Sequence, residues 1–162
     1  MDDAIKIYPT ILEKFYEHEK NRADALFLSE PVQGIAQNFT WKQAGDEIRS
    51  LVTALRSMGL PENSKMAILG KNSAHWIMAD LAIMMAGFVS VPLYPNISTG
   101  TLQTILLHSE SKVIFIGKLD NYEELAQEIP ASIIKISFPF YPKKDCLGWK
   151  DLLKKYPPST TN

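Results

Sequence analysis

The sequence predicts an α/β fold, a doubly wound and mostly parallel sheet with helices on both faces. Three observations predict it. Short apolar strands alternate with helical segments between residues 65 and 137, which is the pattern of right-handed βαβ units. A long amphipathic helix precedes these units. Glycine and proline separate many of the segments, and they divide one charge-free stretch into a helix and a strand.

The first forty residues predict one helix and two short strands. Thr10 and Glu13 match the S/T-x-x-E capping box, in which two side chains satisfy unpaired N–H groups at a helix start. The helix should therefore run to about Asn21. The segments ALFLSE and QNFTW then predict two strands around Gly34.

The most regular pattern lies between residues 40 and 58. Thr40 and Gln43 repeat the capping pattern. Apolar residues then recur at three- and four-residue spacing, which predicts one apolar stripe on a long helix: Trp41, Ala44, Ile48, Leu51, Val52, Leu55 and Met58. Gly59 and Pro61 are expected to end that helix.

The remaining segments define the predicted core and a different tail. Strands are expected at 65–70, 88–93, 112–117 and 132–137, with helices at 73–86, 99–109 and 120–128. From residue 138 onward prolines interrupt the pattern, only WKDLLKKY predicts a helix, and PPSTTN predicts a linker. We divide the chain into an N-terminal helix and strand (1–38), a βαβ core (39–137) and a Pro-rich tail (138–162).

One apolar stretch is long enough to suggest a membrane span. Residues 81–109 carry no charge, and residues 76–94 are almost continuously apolar. However, Asp80 would cost about 2.5 to 3.5 kcal/mol near a bilayer centre, and Gly87, Ser90 and Pro92 divide the stretch. We expect a buried helix followed by a central strand that is covered on both faces, as parallel strands usually are.

Composition limits the class of protein. Seventeen basic and eighteen acidic residues give a net charge of -1, so no overall field would attract nucleic acid. The single cysteine, Cys146, excludes an internal disulfide framework and fits a reducing compartment. The N-terminus lacks the basic start and apolar stretch of a signal peptide. We expect a cytoplasmic protein, with peripheral attachment to a membrane as the alternative.

The segment AILGKNSAHW raises the question of a phosphate-binding loop. A strand, a glycine, a lysine and a hydroxyl residue before a helix are the parts of such a loop, because helix N-termini attract phosphate. The pattern G-x-x-x-x-G-K-[ST] fails, since Lys65 stands where its first glycine would be and Asn72 follows Lys71. No G-x-G-x-x-G is present either. We therefore expect Ser73 to be the N-cap of a helix.

The sequence contains no recognisable catalytic or metal-binding motif. His18, His75, His108 and Cys146 lack close metal-ligand spacing, and no G-x-S-x-G is present. Glu123 and Glu124 should lie on a solvated helix face. His75 and Trp76 follow a strand end, where doubly wound sheets place ligands. We expect His75 to be a packed core residue whose hydrogen bonds are satisfied, and we keep His75 and Trp76 as candidates for the neighbourhood of a substrate cleft.

Residues 39–115 resemble the N-terminal part of the AMP-forming acyl-CoA synthetases. FTWKQAGDEI (39–48) is similar to the first core motif of that family, and MAGFVSVPLYP (85–95) is similar to its second. Between them, Asn72 and Trp76 match an Asn-x-x-x-Trp segment. The amino-acid sequence of residues 80–98 and 106–115 is most similar to the long-chain fatty acid branch of the family.

The resemblance implies an N-terminal fragment of a long-chain fatty acid–CoA ligase that uses ATP, Mg²⁺ and coenzyme A. The family's Ser/Thr/Gly-rich nucleotide loop and its Tyr-Gly-x-Thr-Glu-like segment do not occur in the sequence. No catalytic, cofactor-binding or metal-binding residue can be carried over, and we expect the fragment alone to be inactive and to self-associate. Asn96 stands where some relatives have a basic residue near coenzyme A. The alternative is a stand-alone α/β module that binds a ligand or a protein without catalysis.

Overall fold

The computed structural model describes residues 8–158. Its helices and strands follow in the order α1 (Ile11–Asn21), β1 (Leu26–Val32), β2 (Ile35–Thr40), α2 (Trp41–Arg56), β3 (Lys65–Leu69), α3 (Ala74–Met85), β4 (Val89–Leu93), α4 (Thr99–His108), β5 (Val113–Ile116), α5 (Tyr122–Ala126), β6 (Ile134–Ser137), β7 (Leu147–Gly148) and α6 (Trp149–Lys155).

The main sheet is parallel throughout and has the strand order β4-β3-β5-β6-β7. Strands β1 and β2 form a separate antiparallel hairpin. Alternate residues of each sheet strand face opposite sides. Met66 and Ile68 of β3 therefore enter the core under α2, α3 and α6, whereas Ala67 and Leu69 enter the core under α4 and α5. The predicted doubly wound α/β class is confirmed.

The predicted helix starts are confirmed in detail. Thr10 and Thr40 each accept a hydrogen bond from the backbone N–H three residues later. The side-chain oxygens of Glu13 and Gln43 in turn accept hydrogen bonds from the backbone N–H groups of Thr10 and Thr40, so both capping boxes are complete. Gly59 has a φ of 65° after the end of α2, a left-handed conformation that favours glycine.

The position predicted for the strand at 88–93 is wrong. This strand, β4, is an edge strand rather than a central one, and Val89 is 42% exposed. The N–H of Val89 donates to Ser64 O, toward β3. Because alternate residues of a strand direct their backbone groups to opposite sides, the backbone groups of Ser90 and Pro92 face the free edge of the sheet. Proline has no N–H to offer a further strand, and this explains why an uncharged strand can lie at an edge.

The helical half of the same charge-free stretch behaves as predicted. Met78, Ala79, Ala82 and Ile83 of α3 are fully buried between the sheet and α2. Among residues 8–158, no helix combines the length and the apolar character that crossing a membrane requires.

The tail is joined to the core more closely than its prolines indicate. Phe138 and Trp149 are almost fully buried, and α6 packs against α2. The two-residue strand β7, which has no counterpart in the predicted pattern, extends the sheet beside β6. The linker expected at 157–162 lies mostly outside the described residues, and the boundaries at residues 38 and 137 stay a prediction.

Candidate functional site at the carboxyl edge of the sheet

The strand order places the topological switch point of the sheet, where ligands of this fold class usually bind, between β3 and β5. The connection from β3 leads to β4 on one side, and the connection from β4 returns past β3 to β5 on the other. Ligands of doubly wound sheets usually bind where the connections diverge in this way, beyond the carboxyl ends of the two strands. In this chain the two strands end at Leu69 and Ile116, and Gly70 and Gly117 directly follow them.

Backbone contacts close this position. A Cβ atom on Gly70 would lie only 2.8 Å from the Cα of Gly117. The N–H of Gly117 donates to Leu69 O at 2.8 Å, and the N–H of Lys71 donates to Lys118 O at 3.0 Å. The two backbones therefore continue their pairing past the strand ends and lie too close for a ligand group to enter between them.

The Lys71 side chain is also engaged. Its ammonium group donates to both carboxylate oxygens of Asp120, at 2.8 and 2.6 Å. Hydrogen bonding and charge from Lys71 lower the pKa of Asp120 below its usual value. Both side chains are largely exposed, so the ion pair ties the loop after β3 to the loop after β5 at the surface.

A carboxylate occupies the N-terminus of α3, where a phosphate would bind. Oε2 of Glu30, a buried residue of β1, accepts a hydrogen bond of 3.0 Å from the N–H of Ala74. Ser73 caps the helix as predicted, since its Oγ accepts from the N–H of Trp76. The GKNS segment therefore leads into a helix in which the N–H groups of Ala74 and Trp76 already have partners.

Glu30 also connects this helix start to the tail. Its Oε1 accepts a hydrogen bond of 2.9 Å from the hydroxyl of Tyr141. Burial and the Glu30 carboxylate raise the pKa of Tyr141 to about 12. A residue in the N-terminal hairpin thus joins three segments that are far apart in sequence.

Open space lies one strand away, between the carboxyl ends of β3 and β4. A cleft of about 250 Å³ is lined there by Gly70, Asn72, Trp76, Pro92, Leu93, Tyr94 and Pro95. Its residues Pro92, Leu93 and Tyr94 also line a groove of about 590 Å³ between β4 and α4. Together we name these spaces the carboxyl-edge cleft. Its walls are mainly apolar and aromatic, and the side chains of Asn72, Asn96, Ser98 and Thr101 are polar groups in the lining that could orient a ligand.

The two candidate residues from the sequence point to different places. Trp76 is half-buried and lines the carboxyl-edge cleft. His75 is only 2% exposed and lies in the core. Its ring is surrounded by aromatic side chains with centroids 5.2 to 6.2 Å away, those of Phe39, Phe138, Phe140 and Trp149. Adjacent helical residues differ by about 100° in direction, and this separates the pair.

His75 has an incomplete set of hydrogen bonds. Its Nε2 lies 3.7 Å from Oε2 of Glu47, beyond hydrogen-bond length, and its buried Nδ1 has no partner among the described residues. The same Glu47 oxygen accepts a hydrogen bond of 2.9 Å from the Trp149 indole. The ring is enclosed by other side chains, which agrees with the expectation of a packed histidine, but the expectation that its hydrogen bonds are satisfied is wrong for the described residues.

A second polar cluster lies beside α5. The hydroxyl of Tyr122 donates to Asp145 at 2.7 Å and lies 3.4 Å from the sulfur of Cys146. Lys135 pairs with the other oxygen of Asp145. Burial raises the pKa of the Cys146 thiol, so this thiol is not activated as a nucleophile. Within residues 8–158 no group of three or more His, Cys, Asp or Glu side chains could hold a metal ion.

Sequence reasoning missed the contribution of Tyr94 to the cleft. Tyr94 is 82% exposed and lies directly after β4. A large aromatic residue at the carboxyl end of a strand was the available signal, since ligands of parallel sheets bind at that edge. Glu30 was missed as well, because a single acid in a short strand usually faces solvent.

A parallel α/β domain with a cleft at its carboxyl edge defines the class of a ligand-binding domain of the doubly wound type. The family model described as "AMP-binding enzyme" matches residues 15–160. The chain belongs to this family of AMP-binding enzymes.

Relatives and solved structures agree with this membership. The chain is 26% identical over 118 residues to the long-chain-fatty-acid–CoA ligase FadD15 of Mycobacterium bovis, covering 73% of this chain and 20% of that protein. It is 27% identical over 132 residues to long chain acyl-CoA synthetase 4 of Arabidopsis thaliana, covering 82% and 19%. The chain thus spans about a fifth of the length of these relatives.

The fold is also similar to those of solved CoA ligases. The crystal structure of the anthranilate CoA ligase AuaEII in complex with anthranoyl-AMP superposes with a TM-score of 0.77 at 18% identity. The match covers 94% of this chain and 29% of that one. At this identity the likeness shows a shared fold.

Proposed function

We propose that this chain is the N-terminal scaffold of a long-chain fatty acid–CoA ligase and that its carboxyl-edge cleft forms one wall of the substrate-binding region. The cleft is the observation that carries the proposal. It combines Trp76 and Tyr94 with apolar walls at the edge of the sheet where ligands of this fold class bind. The names of the relatives supply the long-chain class.

The proposed reaction has two steps. A fatty acid carboxylate attacks the α-phosphorus of ATP and releases pyrophosphate, and the thiol of coenzyme A then displaces AMP from the acyl-adenylate to give the thioester. Hydrogen-bond donors of the enzyme, and Mg²⁺ when it is bound, would stabilise the negative charge that develops on the phosphate groups.

The described residues do not fit the nucleotide phosphates or the metal ion. Glu30 holds the N-terminus of α3, Asp120 holds the ammonium group of Lys71, and a carboxylate at either position would repel phosphate. We therefore assign phosphate chemistry to a part of the enzyme outside residues 8–158, and we assign packing and water exclusion to this part.

The cleft suits an apolar or aromatic ligand group better than a charged one. Asn96, which lines the groove beside β4, is uncharged, so it supplies no positive charge to a phosphate of coenzyme A. Trp76 and Pro92 can contact an acyl chain or a flat ring through dispersion and apolar burial. We keep a cytoplasmic location as part of the proposal, with peripheral membrane attachment as the alternative, because long fatty acids partition into membranes.

The first experiment measures fatty-acid-dependent exchange of pyrophosphate into ATP by the 162-residue chain. We expect no exchange above a heat-killed control, because the phosphate-handling motifs of the family are absent from the sequence. An exchange rate above that control would contradict the assignment of phosphate chemistry to another part of the enzyme.

The second experiment tests the substrate class on the product of the intact gene. Coenzyme A consumption is measured with acetate, octanoate, palmitate and coumarate in the presence of ATP and Mg²⁺. The highest kcat/KM on palmitate would support the long-chain class, since each additional buried CH₂ contributes about 0.8 kcal/mol. A preference for acetate or coumarate would reject that class. Failure to form a thioester or adenylate with any acid would favour the non-catalytic binding module.

A further inference from the structure

Glu30 is a buried carboxylate at the junction of three segments. It belongs to the hairpin strand β1 and is only 6% exposed. One oxygen accepts the N–H of Ala74, the first residue of α3, at 3.0 Å, and the other accepts the hydroxyl of Tyr141 at 2.9 Å. Removing a carboxylate from water is costly, and an apolar side chain of similar size would fill the same space without that cost. Packing alone therefore does not account for a glutamate at this position.

The Glu30 carboxylate has a fixed orientation. Glu30 precedes Pro31, and the residue before a proline is restricted to extended backbone conformations. It also pairs with Gln37 in the register of the antiparallel hairpin. Because each oxygen is bonded to a different segment, the carboxylate cannot turn without breaking a hydrogen bond. It is therefore a rigid acceptor for the first N–H group of α3.

Three consecutive residues in the first turn of α3 each have a defined contact. Ala74 is bonded to Glu30, and the ring of His75 lies among aromatic side chains. The N–H of Trp76 donates to Ser73 Oγ at 3.2 Å, and the Trp76 side chain lines the carboxyl-edge cleft. Because the helix backbone sets the direction of its side chains, a shift of Ala74 also moves the indole two residues later.

We infer that Glu30 is a positioning residue for the carboxyl-edge cleft and that it acts through Ala74 to place the Trp76 indole in the cleft wall. The inference rests on the proposed function, because that proposal gives the cleft its substrate. It differs from a role in stability alone. Replacing a residue that only stabilises the fold leaves the folded cleft unchanged, whereas replacing a positioning residue changes the cleft in the molecules that remain folded.

The first test records fluorine NMR spectra of the 162-residue chain labelled with fluorotryptophan. The Trp76 signal is the one that disappears in Trp76→Phe. We expect Glu30→Ala to shift and broaden this signal, because the start of α3 loses its acceptor. Glu30→Gln should restore the signal, because the amide oxygen can still accept from Ala74 while the hydroxyl of Tyr141 accepts from the amide nitrogen.

Thr10→Ala is the matched control for the spectra. It also removes a side chain from the start of a helix, but Thr10 caps α1 and does not line the carboxyl-edge cleft. The Trp76 signal should therefore be unchanged in this variant. Circular dichroism confirms that each variant is folded.

A double-mutant cycle on the product of the intact gene tests the link to the substrate. The KM values for palmitate and for coenzyme A are measured in Glu30→Ala, Trp76→Ala and the double variant. A displaced cleft wall weakens binding, so both single variants should raise the same KM by about tenfold, with kcat within about threefold of the original enzyme. Because Glu30 acts through Trp76, the double variant should match Trp76→Ala within about twofold, and the two effects should not multiply.

The outcomes separate the positioning role from the proposed function. An unchanged Trp76 signal in Glu30→Ala would overturn the positioning role, and so would KM effects that multiply in the double variant. A signal that moves equally in Thr10→Ala would overturn it as well, since the shift would then follow from lost stability. If the original enzyme forms no thioester from palmitate, the proposed function fails, while the fluorine spectra still decide the positioning role.

Discussion

Gly70 and Gly117 lie in direct backbone contact at the carboxyl ends of neighbouring parallel strands. A Cβ atom added to Gly70 would lie 2.8 Å from the Cα of Gly117, closer than real Cβ atoms approach. The contact has a functional consequence because it closes the position where the strand order would place a ligand. Ligand-accessible space is displaced by one strand, toward Trp76 and Tyr94.

The first prediction concerns this contact. Gly70→Ala forces two backbones apart, and we expect the free energy of unfolding to fall by about 1 to 3 kcal/mol. Gly100→Ala is the matched control, because no atom lies within 4 Å of the added Cβ and the position is helical. It should be neutral or stabilise by up to about 1 kcal/mol. Urea denaturation measures both variants, and equal stabilities would show that the Gly70 backbone is not constrained.

Local sequence signals predicted the elements well. The capping boxes at Thr10 and Thr40 depend on contacts three residues apart, so the sequence contains all the information that sets these helix starts. The apolar stripe of α2 is similarly local, since it follows the helical period. Parallel pairing followed from the alternation of strands and helices.

Positions in the sheet and the shape of the site depended on distant contacts. An uncharged strand has the composition of a central strand, and Pro92 was the single local sign that β4 is an edge strand. Glu30 meets Ala74 across 44 positions and Tyr141 across 111 positions, so no short pattern shows that it caps α3. The helical period does show that His75 and Trp76 face different directions, and it could have assigned Trp76 alone to the cleft.

The second prediction concerns the carboxylate of Glu30. Glu30→Ala removes the acceptor of the buried N–H of Ala74 and of the partly buried hydroxyl of Tyr141, and an unpaired buried group costs about 1 to 3 kcal/mol. We expect a loss of stability in this range or above. Glu30→Gln keeps an oxygen acceptor, so it should lose less. Thermal unfolding followed by circular dichroism gives both values.

Glu30→Ala also tests whether the Glu30 carboxylate occupies a position at the N-terminus of α3 that could otherwise bind an anion. Inorganic phosphate should raise the unfolding midpoint of Glu30→Ala more than that of the original chain, because the variant frees a helix N-terminus. Sodium chloride at equal ionic strength is the control for general salt effects. Equal phosphate responses in the two proteins would argue against this role of the carboxylate.

The third prediction concerns the alkaline limit of stability. Burial and Glu30 raise the pKa of Tyr141 to about 12, above the value of about 10 in an unfolded chain. The neutral hydroxyl is therefore favoured in the folded state. Its contribution to stability is fully present below pH 10 and is lost as the pH rises through about 12.

Ultraviolet titration of tyrosinate measures this effect. The folded chain should lose one late-titrating tyrosine near pH 12 when Tyr141 is replaced by Phe. The pKa of Tyr156, in contrast, is lowered by hydrogen bonds from Ser57 and Lys155, so Tyr156→Phe should remove an early step. A late titration step that is unchanged in Tyr141→Phe would mean that the Glu30 contact does not hold the proton.

The fourth prediction concerns the reactivity of Cys146. Burial is the main cause that raises the pKa of its thiol, and the hydrogen bond with Tyr122 opposes that shift. Because the thiolate is the reactive form, alkylation by iodoacetamide at neutral pH should be slower than that of a small free thiol. The same chain in urea should react at the rate of an ordinary cysteine, which controls for the reagent. As the pH rises, the folded chain should approach that rate only above the pKa of the unfolded thiol. Rapid alkylation of the folded chain at neutral pH would contradict the prediction, because it would require a thiolate stabilised by its surroundings, whereas the negative charge of Asp145 beside it disfavours that form.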